Sequence, residues 1–322
     1  MSLVFGPVPS RRLGKSLGIN NIPPKECTYA CIYCQLGNTL KLEIKRRDFY
    51  STKEIIEEVE NHLKKIDKYG NQIDYLTFVP DGEPTLDLNL GESISALRRF
   101  GIKLAVITNS SLIDDVKVRT NLSKADWVSL KIDTVDEKTW HEINRPHGQL
   151  NFKSIINGME MFSNDFKSFL ATETMLIKNI NDSDEELEAT AKFIKSLNPN
   201  KSYISIPTRP PAENNVFAPD AEIINKAYHI FQSFDINVEL IIGYEGNKFS
   251  ATGDFKEDIL NITAVHPMRH DAVVELLEKD NAGAEDLDFL LETQQLRKLI
   301  YDNKIFYLRN LHKWRKEKEE NL

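Results

Sequence analysis

The stretch Cys27-Thr28-Tyr29-Ala30-Cys31-Ile32-Tyr33-Cys34 contains all three cysteines of the 322-residue chain. Thiolates are soft ligands that suit zinc, copper(I) or iron–sulfur clusters. A local four-ligand zinc site is not available, because three cysteines are too few and the nearest histidine is His62. Three thiolates can hold a [4Fe–4S] cluster and leave one iron without a protein ligand. Two alternatives stay open: a zinc site completed by a distant histidine, and cysteines that bind no metal.

The spacing Cys-x3-Cys-x2-Cys, with Tyr33 directly before the third cysteine, resembles the signature of the radical S-adenosylmethionine (SAM) superfamily. The resemblance implies that Cys27, Cys31 and Cys34 are the catalytic and metal-binding residues. They would hold a [4Fe–4S] cluster whose open iron binds the amino and carboxylate groups of SAM. The reduced cluster would cleave SAM to methionine and a 5′-deoxyadenosyl radical, which takes a hydrogen atom from the substrate. Tyr33 would lie beside the adenine.

A second motif, Asp81-Gly82-Glu83-Pro84, follows a predicted strand. It resembles the Gly-Gly-Glu motif of the same superfamily, with Asp81 in place of the first glycine. The resemblance implies that Gly82 and Glu83 bind SAM in the region of its methionyl ammonium group. An anionic or carbonyl acceptor suits that group, because an ammonium offers three donors and a positive charge. A plain strand-to-helix turn is the alternative.

Three later predicted strands carry the other expected SAM contacts. One ends in Asn109, within Thr-Asn-Ser, where the family often has Thr-Asn-Gly. In the next strand, alternation puts Ser129, Lys131 and Asp133 on one polar face. The resemblance implies that this face contacts the ribose and carboxylate of SAM, and Thr172 of the following strand completes the predicted set. An internal Lys131–Asp133 pair without a ligand is the alternative.

The stretch Ile143-Asn144-Arg145-Pro146-His147 looks like one in the iron–sulfur oxidoreductases related to the wyosine-base synthase of tRNA. Arg145 is a candidate substrate contact, as are Arg209 and Glu213 in a later loop. The substrate implied by this branch is a tRNA base. Wyosine synthases generally carry a second cluster, for which this chain has no further cysteines. A peptide or protein substrate, activation of a glycyl-radical enzyme, and a sensor that does not cleave SAM remain alternatives.

Strands and helices alternate along residues 1–245, which predicts an α/β fold with a parallel sheet. By resemblance this region is the open (β/α)6 partial TIM barrel of radical SAM enzymes, with a loop-rich opening before the first strand. The predicted strands cover 16–20, 75–80, 103–109, 127–133, part of 167–176, 202–207 and 238–242.

A small C-terminal domain is predicted at 263–322, after a polar linker at 246–262. Two predicted helices and a hairpin turning at Asp302-Asn303 resemble a winged helix. The second helix bears four acidic side chains, which is unsuited to the major groove, so a sequence-specific DNA partner is not expected. Substrate docking, a lid or dimerisation is the expected role.

Composition and charge limit the kinds of partner that the chain is expected to bind. The net charge of −8 disfavours generic nucleic-acid binding, although the first fifty residues hold eight basic side chains against three acidic ones. No apolar run reaches the ~20 residues of a membrane-spanning helix, and no secretory signal is visible. If the cysteines hold a cluster, none is left for a disulfide, which predicts a cytoplasmic location. Reduction of the cluster would need an external one-electron reductant of the flavodoxin or ferredoxin type.

Overall fold

The computed structural model describes residues 3–67, 72–243, 246–247, 249 and 251–310. The predicted domain boundary at 245 and the end of the predicted C-terminal domain, 311–322, lie outside the described residues. The strands are β1 Val4–Ser10, β2 Gly14–Ile19, β3 Glu26–Cys27, β4 Lys41–Leu42, β5 Tyr75–Phe78, β6 Lys103–Thr108, β7 Trp127–Lys131, β8 Phe169–Met175, β9 Lys201–Ser205, β10 Val238–Ile241, β11 Met268–Arg269, β12 Leu296–Tyr301 and β13 Lys304–Arg309.

Ten α-helices lie within the described ranges, and none of them is long and apolar enough to cross a membrane. They are α1 Thr52–Asp67, α2 Leu90–Leu97, α3 Val116–Leu122, α4 Glu137–Asn144, α5 Phe152–Asp165, α6 Asp184–Leu197, α7 Ala221–Ser233, α8 Phe255–Thr263, α9 His270–Lys279 and α10 Ala284–Glu292.

The main sheet has the strand order β1-β2-β5-β6-β7-β8-β9-β10. The strands β1 and β2 are antiparallel, and each neighbouring pair from β2 to β10 is parallel. This curled, open sheet is a partial TIM barrel, which confirms the predicted α/β fold class. In such a fold the carboxyl ends of the parallel strands form the functional face.

The strand β1 was not expected, because Gly6, Pro7 and Pro9 interrupt its apolar pattern and favour a loop. It pairs with β2 at the edge of the sheet, with a register irregularity between Phe5 and Val8. Proline is compatible with an edge strand, since the outer side of that strand needs no ladder hydrogen bonds.

Helices cover the convex face of the sheet. Ile55 and Val59 of α1 are fully buried in the same apolar core as Leu76 and Phe78 of β5. Burying one such side chain stabilises the fold by about 1.5–3 kcal/mol. Because strand residues alternate, the neighbouring Thr77 faces the concave side, where its hydroxyl lies 2.7 Å from that of Ser16.

The C-terminal elements form a second apolar cluster. The helices α8, α9 and α10 pack against a three-stranded sheet of order β11-β13-β12. The β12–β13 hairpin turns at Asp302 and Asn303 as predicted, with φ angles of 48° and 56° that suit a tight hairpin. The winged-helix resemblance and the domain boundaries stay predictions.

The predicted polar linker 246–262 is wrong over its second half, where Phe255–Thr263 forms α8. Asp254 caps this helix by accepting a hydrogen bond from the Glu257 backbone N–H. The helix is short and follows several polar residues, so its apolar face is easily overlooked in the sequence. The residues that follow it, Ala264 and Val265, pack against Phe5 of β1, so the C-terminal elements contact the barrel.

Candidate active site

The cysteine loop, here residues 27–35, begins at the end of β3 and is held at two points. The Glu26 backbone bridges to Gly82 after β5, and the Ala30 and Ile32 N–H groups donate to backbone carbonyls at the end of α4. All three cysteines are partly exposed, and they line one cavity of about 300 Å³. The predicted residues Tyr33, Gly82, Lys131 and Arg209 also line this cavity.

The cavity wall is basic. Among the described residues it contains five basic side chains and two acidic ones: Arg11, Arg12, Lys25, Lys131 and Arg209 against Asp81 and Glu173. Partly desolvated positive charge attracts carboxylates and phosphates more strongly than the same charge in water. The cavity therefore suits a ligand with an anionic group.

Burial and metal binding would have opposite effects on the three thiols of the cavity. Burial raises the pKa of the Cys31 thiol to about 12, and it also raises the pKa values of Cys27 and Cys34. Bound iron would overcome this effect, because a metal stabilises the thiolate and releases the proton. In a cluster the thiolates would be distributed over several irons.

Gly82 allows the turn after β5 to approach β3. Its φ is +151°, in a region that side-chain-bearing residues rarely adopt, and a Cβ there would collide with the carbonyl oxygen of Glu26. The Glu83 N–H donates to that same carbonyl oxygen at 3.3 Å. Glycine therefore fixes the distance between the Asp81–Glu83 turn and the cysteine loop.

Glu83 is buried and does not line the cavity. Its Oε1 accepts hydrogen bonds from Thr85 N at 3.0 Å and Thr108 Oγ1 at 2.7 Å, and its Oε2 accepts one from Asn109 N at 2.8 Å. Burial raises the pKa of Glu83, while these donors oppose the rise. The side chain links the ends of β5 and β6 and positions Asn109.

Lys131, the last residue of β7, lines the cavity, and Asp133, two residues beyond the strand, contacts Lys131. Lys131 Nζ lies 2.9 Å from Glu173 Oε1 and 3.7 Å from Asp133 Oδ1. Tyr33 OH donates to Asp133 Oδ2 at 2.6 Å. Ser129 is buried on the same side of the strand and does not line the cavity. The Lys131–Asp133 contact exists, but it is one part of a larger group around the cavity.

The prediction for Thr172 is wrong, because this residue lies on the opposite face of β8 and donates to Ser202 Oγ at 2.9 Å. The β7–β8 register pairs Lys131 with Glu173, so Glu173 is the residue that faces the cavity. Arg12 forms an ion pair with the same carboxylate. The alternation within β8 was visible in the sequence, but the choice of inward face depends on pairing with β7.

Arg145 and Glu213 form an ion pair with each other and do not line the cavity. The Glu213 N–H donates to the Ile32 carbonyl oxygen at 3.0 Å, so the pair lies against the outside of the cysteine loop. Arg209 does line the cavity, and its Nη1 donates to Gln35 Oε1 at 2.6 Å.

Asn144 is a site residue that the sequence analysis missed. Its side-chain amide donates to Asp133 Oδ2 at 2.9 Å and lies 3.4 Å from Cys31 Sγ. Asn109, which was predicted, lies 3.5 Å from Cys27 Sγ. Asn144 lies in the Ile143–His147 stretch, which the sequence analysis identified but from which it selected only Arg145.

A second cavity of about 620 Å³, here called the outer groove, shares Ile206–Arg209 with the first. Its other side is formed by the C-terminal elements, including Arg269, Tyr301 and Lys304. Tyr301 OH donates to the Pro207 carbonyl oxygen at 3.2 Å. The outer groove therefore extends the cavity toward the β12–β13 hairpin.

Comparison with known proteins gives one family and several relatives. The profile of the family described as the radical SAM superfamily matches residues 21–194. The UPF0026 protein MJ1312 of Methanocaldococcus jannaschii is 46% identical over 100% of this chain and 99% of its own length. A probable dual-specificity RNA methyltransferase RlmN of Endomicrobium trichonymphae is 26% identical, over 66% of this chain and 61% of its own.

The fold is also found in solved structures, of which TYW1 is an example. A structure of TYW1 with a lysine-pyruvate adduct bound superposes with a TM-score of 0.51 and 17% identity. The match covers 68% of this chain and 73% of that one. At this level of identity the likeness extends to the fold alone, and it agrees with the partial barrel described above.

Proposed function

The chain belongs to the radical SAM superfamily and is an enzyme, and we propose that it binds a [4Fe–4S] cluster and SAM as its cofactors. The observation that carries the proposal is the convergence of Cys27, Cys31 and Cys34 on one cavity that also contains Tyr33 and Lys131. When bound and reduced by an external one-electron donor of the flavodoxin or ferredoxin type, the cluster supplies the electron that splits SAM and so generates the hydrogen-abstracting 5′-deoxyadenosyl radical.

The chain's own residues bind and orient SAM in this proposal. The Lys131 ammonium lies 5.1 Å from the centre of the Tyr33 ring, and Arg12 and Lys131 flank Glu173. These cations suit the carboxylate of SAM, and Glu173 suits donors such as ribose hydroxyls. The Tyr33 ring offers an apolar face for the adenine.

The test is anaerobic reconstitution with iron and sulfide, followed by reaction with SAM and dithionite. We expect about four irons per chain and formation of 5′-deoxyadenosine, both lost in Cys31→Ala. A reaction without SAM is the control. Absence of a cluster in the native sequence would refute the ligand assignment. A full cluster that never cleaves SAM, with any candidate substrate, would favour the sensor alternative.

We further propose a tRNA base as the substrate, supported by the outer groove and by the likeness to the probable RNA methyltransferase RlmN. Arg209, Arg269 and Lys304 line the groove beside Tyr301 and the exposed Phe217. Cations interleaved with aromatic rings suit nucleic acid, because phosphates need positive charge and unstacked bases stack on rings. An acidic peptide is the alternative ligand of the outer groove, since it would need the same basic side chains but not the aromatic rings.

Two charge reversals on the hairpin test this substrate. Lys304 lies opposite Tyr301 on the face toward the groove, whereas Lys298 alternates to the other face of β12. We expect Lys304→Glu to weaken tRNA binding about tenfold and to lower its salt dependence, and Lys298→Glu to change neither. Equal effects of both changes, or binding of an acidic peptide but not of tRNA, would contradict the proposal.

A further inference from the structure

Two side-chain amides face two of the three cysteine sulfurs. Asn109 Nδ2 lies 3.5 Å from Cys27 Sγ, and Asn144 Nδ2 lies 3.4 Å from Cys31 Sγ. Both distances suit an N–H···S hydrogen bond, which is longer than a bond to oxygen because sulfur is larger. The two asparagines come from different elements, the end of β6 and the end of α4, so they approach the cysteine loop from two directions.

The orientation of the Asn109 amide is fixed by its partners. Its Oδ1 accepts a hydrogen bond from the Ser111 backbone N–H at 3.0 Å, which only an oxygen can do. Its Nδ2 donates one hydrogen to Thr28 Oγ1 at 2.7 Å. An amide nitrogen has two hydrogens, and the second is directed toward Cys27. The bond from Asn109 N to Glu83 holds the backbone in place.

The Asn144 amide is fixed in the same way. Its Nδ2 donates one hydrogen to the Asp133 carboxylate at 2.9 Å, and its second hydrogen is on the side of Cys31 Sγ, at 3.4 Å, and of Tyr33 OH, at 3.5 Å. Asn144 is 3% exposed, so water does not compete for these hydrogens. Its backbone carbonyl also accepts from the Ala30 N–H at 3.0 Å, so the residue holds both the loop and its sulfur.

We propose that Asn109 and Asn144 are positioning residues that donate hydrogen bonds to the Cys27 and Cys31 thiolates of the bound cluster and raise its reduction potential. The inference rests on the proposed function. Reduction adds negative charge that spreads onto the sulfurs, so a donor to sulfur stabilises the reduced state more than the oxidised state. Hydrogen bonds to sulfur are among the factors that set the potentials of iron–sulfur clusters.

The test is a redox titration of the reconstituted cluster, followed by electron paramagnetic resonance, in Asn109→Ala and Asn144→Ala. Loss of either hydrogen bond is expected to lower the ratio of reduced to oxidised cluster about tenfold at a given potential. This corresponds to a reduction potential about 59 mV more negative. Asn109→Ala is the cleaner variant, because Asn109 contacts no charged side chain except through its backbone. Iron and sulfide content is measured first in every protein.

The matched control is Asn181→Ala. Asn181 is as buried as Asn144 and donates to the backbone carbonyls of Asp133 and Met175, with no hydrogen bond to a cysteine. The Asn181→Ala change should lower the stability of the fold and leave the reduction potential of the cluster unchanged. Native potentials in both cysteine-facing variants, at full cluster occupancy, would overturn the inference. An equal shift in all three variants would also overturn it, because general loosening of the site would then explain the change.

A measurement on the native sequence keeps the inference testable if a variant assembles no cluster. Iron–sulfur stretching modes from the cysteine ligands should shift when the protein is reconstituted in D2O, because deuteration changes an N–H···S bond. Absence of any shift would overturn the inference. Absence of a cluster in the native protein would instead refute the proposed function, so the two failures can be told apart.

Discussion

At the scale of single residues, the site divides into side chains that line the cavity and side chains that hold its walls. Tyr33, Lys131 and Glu173 belong to the first group. Glu83 and Asn109 belong to the second, because their hydrogen bonds join strand ends to each other and to the cysteine loop. Changes at Glu83 should act on cofactor binding through geometry, because its side chain is buried and does not line the cavity.

Gly82→Ala tests this geometric control. The new Cβ would meet the Glu26 carbonyl oxygen, which is backbone and cannot rotate away. We expect a loss of about 2 kcal/mol in the free energy of unfolding and weaker SAM binding, since the cysteine loop must move. Urea denaturation and SAM titration measure the two effects. Gly148→Ala is the control, because a Cβ there meets nothing within 4 Å; a similar loss in both would contradict the argument.

Lys25 and Asp81 form a buried ion pair in the cavity wall, at 3.3 Å. Burial raises the pKa of Asp81 to about 6, and Lys25 opposes that rise. Lys25→Met should cost about 3 kcal/mol of unfolding free energy, because it leaves a buried carboxylate without its cation. Adding Asp81→Asn should recover part of that loss. Additive losses in the double variant would show that the two side chains do not interact.

At the scale of elements, short-range patterns predicted more than long-range pairing did. The alternation correctly put Ser129 and Lys131 on one face of β7, because a strand fixes that pattern by itself. The prediction for Thr172 was wrong because the register between β7 and β8 determines which face of β8 points inward. The local sequence pattern does not contain that register. The strand β1 was not predicted for a related reason: its prolines are compatible with a strand only at the edge of a sheet, and the edge position is not visible in the local sequence.

The helix α8 contributes a pH-dependent term to stability. Asp258 accepts hydrogen bonds from the Thr252 N–H and hydroxyl groups, and burial, with the Asp280 charge nearby, raises its pKa from 3.8 to about 7. The folded state therefore binds this proton more tightly than the unfolded state. Its contribution is present at acid pH and is lost as the pH rises toward 7, at about 1.4 kcal/mol per pH unit.

Asp258→Asn should remove that slope. Urea denaturation at pH 5 and pH 7.5 should show a smaller fall in the free energy of unfolding for Asp258→Asn than for the native sequence. Asp81 and Asp87, whose pKa values burial also raises to about 6, contribute equally to both proteins and cancel in the comparison. Identical pH profiles would show that Asp258 is ionised at neutral pH in the folded protein.

At the scale of the whole molecule, the C-terminal elements complete the site. Val265 lines the cavity, and Arg209 donates to Gln35 of the cysteine loop and to His266 Nε2 at 3.1 Å. His266→Ala should therefore leave the cluster assembled but speed its bleaching by oxygen several-fold, because the cavity edge loosens beside Cys34.

The control is His270→Ala, because the His270 ring contacts Tyr307 within the C-terminal elements. Absorbance of the reconstituted cluster in air measures the rate. Equal rates in the two variants would mean that the contact through Arg209 does not protect the site, and that the C-terminal elements serve the substrate alone.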